Sequence, residues 1–80
     1  MGKFRPIKTI CWIQFLNLHE FYKVNKRVTG SHFLYKKKGA IRSIPVREND
    51  KDVPAFHLST GCKTIGCTME ELYLWVDENC

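Results

Sequence analysis

Acidic side chains are nearly missing from the first 47 residues, where Glu20 stands alone against eleven lysines and arginines. From residue 48 onward the balance inverts, with seven acids against two lysines. This asymmetry argues against an evenly mixed surface and gives the first half the charge of a polyanion-binding protein. Long hydrophobic runs are missing too. No stretch approaches the roughly 20 apolar residues that a membrane span needs, so no membrane partner is expected. Glycine and proline are sparse, five and three in 80 residues, which excludes collagen-like and low-complexity chains. No internal repeat or linker divides the sequence. With 44% hydrophobic residues it reads as a single globular domain over residues 1–80. A chain this short buries only about 60% of the surface its unfolded form exposes, so its core is thin.

Four cysteines stand at positions 11, 62, 67 and 80. The apolar stretch near the N-terminus is short and broken by Gln14 and Asn17, without a small-residue cleavage site, so export is not expected. Met1-Gly2 begins like a myristoylation signal, but Pro6 stands where Ser or Thr is needed. The expectation is a cytoplasmic chain with reduced thiols. Cys62-x4-Cys67 with Cys80 and His57 lacks the two-residue knuckle of zinc sites, and Cys62 falls on an apolar stripe. Buried free thiols, with no metal and no cofactor, are the expectation.

Helical periodicity covers 7–19, with Ile7, Cys11, Phe15 and Leu18 on one stripe and Trp12, Ile13 and Leu16 spread over the other side. A two-sided helix needs a second cover, and the C-terminal helix is the expected one. Alternation over 21–28 predicts a strand, with Lys23, Asn25 and Arg27 on one face. A second strand over 31–36, a hairpin tip at Lys37-Lys38-Gly39 and a third strand over 40–46 follow, with Pro45 marking an edge or bulge. After a polar loop, Pro54 opens a short helix carrying Ala55, Leu58, Cys62 and Ile65, and Gly66 stops it. Thr68 and Glu71 form a capping box for a last helix. The order α-β-β-β-α-α fits an α+β domain, a three-stranded antiparallel sheet with helices on one face.

The candidate site is Gly30-Ser31-His32. Strand parity sets Ser31, Phe33 and Tyr35 on one face and His32 on the other. If the aromatics meet the helices, His32 stands on the open side, where Lys23 and Arg27 would join it. An imidazole among fixed cations suits RNA cleavage, because RNA carries its own nucleophile, the 2′-hydroxyl. The cations hold the phosphate while His32 moves a proton. Lys36, Lys37, Lys38 and Arg42 extend the phosphate-binding surface. A non-catalytic RNA-binding module using the same surface is the alternative, and His32 is the feature that separates the two.

Thr29-Gly30-Ser31-His32-x-x-Tyr35 between two strands, a basic hairpin, Ile44-Pro45-Val46, a helix ending at Gly66 and Thr68-x-Glu70-Glu71-Leu72 together resemble the HicA family of toxins, over about residues 7–76. The resemblance implies a double-stranded-RNA-binding-domain-like fold, ribosome-independent cleavage of mRNA, a catalytic role for His32 and neutralisation by a HicB-type antitoxin. The chain departs from the family in having Glu20-Phe21 where a Gly-Phe pair often follows the first helix, and Thr29 where a basic residue often stands.

Overall fold

The computed structural model of the chain describes residues 4–27 and 32–80, without the side chains of 25–27. Ile7–Lys8 is extended rather than helical and forms β1. It pairs antiparallel with β5, Asp52–Val53, in the register Ile7 to Val53 and Lys8 to Asp52. Two-residue strands carry no periodic signal, so this ribbon was invisible to hydrophobic patterning. Its cause is tertiary: Ile7 and Val53 are both buried. Thr9 reinforces the junction, its N–H donating to Lys51 O at 2.9 Å and its hydroxyl to Asp50 O at 2.7 Å.

Helix α1, Thr9–Leu18, buries Cys11, Trp12, Phe15 and Leu16 and leaves Ile10 and Leu18 exposed. Two helices share the cover that the last one was expected to give. Helix α2, Ala55–Ile65, meets Trp12 at Gly61, where a Cβ would lie 2.7 Å from Trp12 Cη2 and closer still to Cζ2. Only a residue without a side chain lets that indole lie flat on α2. Helix α3, Met69–Asn79, meets Phe15 through Trp75, with ring centroids 5.5 Å apart. Gly66 ends α2 at φ 94°, a left-handed conformation that glycine adopts without a Cβ clash. The capping box at the start of α3 is present, with Thr68 N–H donating to Glu71 Oε1 at 2.7 Å and Glu71 N–H to Thr68 Oγ1 at 3.0 Å.

Cys11 and Cys80 are joined in a disulfide, their Cα atoms 6.0 Å apart. This corrects the expectation of four reduced thiols. The packing of α3 on α1 brings the two ends within bridging distance, a long-range consequence of the fold. Cys62 and Cys67 remain free thiols, the first buried and the second half-buried.

The larger sheet has the order β2-β3-β4, formed by Tyr22–Arg27, His32–Lys36 and Ile44–Arg47, all antiparallel. β4 is an edge strand, which suits Pro45, since an edge position need not donate to a neighbour. The third strand begins four residues later than alternation suggests. Ala40 N–H closes a turn onto Lys37 O at 3.0 Å, with Gly39 at φ 87°, and residues 40–43 run outside the ladder. Tyr35, Ile44 and Val46 point into one core with Trp12, Leu16, Leu58 and Leu72. The helices therefore cover one face of the sheet, giving an α+β domain with three helices, a three-stranded sheet and a two-stranded ribbon among the described residues.

Candidate functional site

His32 opens β3 and is half-buried. Its parity is opposite to that of Tyr35, which is 3% exposed in the core, so the imidazole projects from the face without helices. The register pairs His32 directly with Arg47 of β4. Residues directly opposite on antiparallel strands share a face, with Cβ atoms roughly 5 Å apart. Arg47 is exposed and its Nε lies 3.3 Å from Asp50 Oδ2. The cation directly across the strands from His32 is thus Arg47, which the sequence alone does not single out. Its signal was present in Ile44-Pro45-Val46-Arg47, where two inward apolar residues alternate with two outward ones. What hid it was the register, because the loop between β3 and β4 is longer than the Lys37-Lys38-Gly39 tip implies.

Lys23 is not on the side of His32. It pairs with Tyr35 across β2 and β3, so it shares the helix-facing side, and the residue that joins Lys36 on the open face is the exposed Tyr22. Lys23 Nζ lies 3.2 Å from Glu48 Oε1 and 4.5 Å from the Phe33 ring centroid. Glu48 also accepts a hydrogen bond from Tyr35 OH through Oε2 at 2.5 Å. Burial and that carboxylate together raise the Tyr35 phenol above its ordinary value of 10.0. One carboxylate therefore holds both groups at the sheet edge, and the charge of Lys23 is locally neutralised. The backbone of Arg27 pairs with Phe33, while its side chain, and Gly30 and Ser31 entirely, lie outside the described residues.

The remaining cations follow the β3–β4 connection. Lys36 is exposed on the open face, about 13 Å along the strand from His32. Lys37 sets its ammonium 5.9 Å from the Phe21 ring centroid, and Lys38 and Arg42 are exposed on the connection. Among the described side chains, one cation thus stands beside His32 and a trail of four leads away from it. Such an arrangement can bind a flexible polyanion along the trail and set one phosphate beside an imidazole.

A groove of about 290 Å³ opens between β4 and α2, and Arg47 lines one part of it. Among the described residues no group of three His, Cys, Asp or Glu side chains is placed to hold a metal ion. No helix of the described residues is long and apolar enough to cross a membrane. No protein-family model, curated protein or solved structure matches the chain.

Proposed function

We propose that this chain is an endoribonuclease that cuts mRNA by metal-independent acid–base catalysis on a double-stranded-RNA-binding-domain-like fold. The cross-strand pairing of His32 with Arg47 on the helix-free face is the observation that carries this reading. The RNA 2′-hydroxyl attacks the adjacent phosphorus, His32 takes its proton, and the P–O5′ bond breaks, leaving a 2′,3′-cyclic phosphate and a 5′-oxygen that takes a proton from water to depart as a hydroxyl. Arg47 offsets the negative charge that builds on the phosphoryl oxygens, where a guanidinium presents two donors to two oxygens. Lys36, Lys37, Lys38 and Arg42 hold the strand that leads to this point.

The resemblance to HicA toxins supports the same assignment and adds a partner, a HicB-type antitoxin that covers the active face. It also sets the place of action in the cytoplasm.

The test is a labelled mRNA fragment incubated with wild type and His32→Ala in the presence of a chelator. Wild type should cut, and the variant should be slower by about 10²–10⁴-fold, the range for a placed proton carrier. RNA affinity of the variant should stay within about twofold, since His32 positions no phosphate in this scheme. Equal cutting by both proteins would remove the catalytic claim. Salt-sensitive binding by wild type with the RNA left intact would favour the non-catalytic RNA-binding module.

A further inference from the structure

The groove between β4 and α2 adjoins the reactive pair, because Arg47 belongs to both. Its lining mixes an apolar floor with a small number of polar groups, the composition of ligand pockets rather than of a solvated seam. Trp12 reaches the floor because Gly61 has no side chain to hold it off. Phe56, in the first turn of α2, is 71% exposed and lines the concave groove, with the His57 ring 4.3 Å away edge-on. Two carboxylates line the groove. Asp50 is taken by Arg47 at 3.3 Å. Asp52 is exposed and makes no ion pair among the described residues.

We infer that this groove is a base pocket selecting guanine beside the cleaved phosphodiester, with Phe56 stacking on the base and the Asp52 carboxylate accepting its N1–H and N2–H. The inference rests on the RNA-cleaving reading of the adjoining face. An ionised carboxylate is acceptor-only, with two oxygens side by side. Guanine is the base whose Watson–Crick edge offers two adjacent donors to match them. Adenine and cytosine set a ring-nitrogen acceptor beside their amino group, and uracil flanks its one donor with two carbonyls, so each would put an acceptor against Asp52. A flat aromatic at the rim serves any base, which makes Phe56 the source of affinity and Asp52 the source of choice. Unpaired single-stranded RNA is therefore the substrate class, because a base held in a duplex offers neither face nor edge.

The experiment measures fluorescence anisotropy with 2′-O-methyl nonamers, which cannot be cut, carrying one central guanosine, adenosine or uridine. Wild type should bind the guanosine oligomer roughly tenfold or more tightly than the other two. Asp52→Ala should equalise the three, and Phe56→Ala should weaken all of them by roughly tenfold. Both side chains are exposed, and circular dichroism checks that the variants fold. On wild type alone, guanosine monophosphate should shift the Trp12 and His57 ring resonances at roughly tenfold lower concentration than adenosine monophosphate. Equal affinity of wild type for all three oligomers, or a guanine preference that survives Asp52→Ala, overturns the inference. A guanine preference in a protein that leaves cleavable RNA intact would retire the nuclease reading and keep the pocket. Cleavage with no base preference would do the reverse.

Discussion

Glu20 is the one non-glycine residue at positive φ among the described residues, at 68°. It sits where α1 stops, with its N–H on Asn17 O at 3.0 Å and the Phe21 N–H on Leu16 O at 2.8 Å. A residue with a Cβ is strained in this left-handed conformation, and glycine is not. Glu20→Gly should raise stability by about 0.5–1 kcal/mol, after the greater flexibility of glycine in the unfolded chain is allowed for. Denaturant melts of the two proteins check it, and a lower midpoint for the variant would contradict it. Tyr35 makes a second prediction at this scale. Its phenol is raised above 10.0 in the fold by burial and by Glu48, and the Cys62 thiol, ordinarily at 9.0, is pushed up to about 12 by burial and by its hydrogen bond with Cys67. Groups raised on folding contribute stability that is complete below their ordinary values and is lost as pH climbs toward the folded ones. The protein should therefore lose stability from about pH 9 upward, and more steeply above pH 10. Tyr35→Phe should start lower, by about 1.5–3 kcal/mol for a hydrogen bond to a charged group, and decline less above pH 10. Urea melts at pH 8, 9, 10 and 11 would show both effects, and parallel curves would contradict the assignment.

Secondary elements whose cause is local were readable in the sequence. The Thr68–Glu71 capping box, the Gly66 stop and the apolar stripe of α2 depend on residues within a turn or two of each other. That His32 and Tyr35 take opposite faces was readable for the same reason, since parity runs within one strand. Pairing across elements was not. Lys23 looked like a companion of His32 because alternation says which residues of a strand agree with one another, and not which face they take. The irregularity between Lys23 and Arg27 in the pairing with β3 further separates β2 from a simple count. The β1–β5 ribbon and the Cys11–Cys80 bond belong to the same class, joining segments 46 and 69 positions apart by register and separation. That disulfide closes nearly the whole chain, and a loop of this size contributes up to about 4 kcal/mol in the chain-entropy account. Reduction should lower the unfolding midpoint substantially while α1 stays in place on Trp12, Phe15 and Leu16. Thermal melts with and without dithiothreitol test it, with free thiols counted by alkylation and mass spectrometry. An unchanged midpoint with four titratable thiols would mean the bond adds nothing.

Charge is partitioned through the whole molecule, and the fold spends part of that partition on itself. Arg5 pairs with Asp77 at 2.9 Å, Lys23 with Glu48 at 3.2 Å and Arg47 with Asp50 at 3.3 Å, so three cations of the basic half are answered by acids of the acidic half. Exposed pairs of this kind add at most about 1 kcal/mol each, which makes them organisers of charge more than sources of stability. The open face and the β3–β4 connection keep four cations with no ion pair among the described residues: Lys36, Lys37, Lys38 and Arg42. If these four displace counterions from single-stranded RNA, the logarithm of affinity should fall against the logarithm of salt with a slope of about −3. Between 50 and 200 mM salt this amounts to roughly 60-fold. Replacing Lys36, Lys37 and Lys38 together by alanine should reduce the slope by about 2, because each phosphate contact adds about 0.7 on single strands. Lys23→Ala should leave the slope nearly unchanged, since Glu48 already answers that charge. This contrast separates the trail of free cations from the basic composition as a whole: a slope that drops equally for Lys23 and for any one of the three connection lysines would show that the bulk charge, and not its arrangement around His32 and Arg47, binds the RNA.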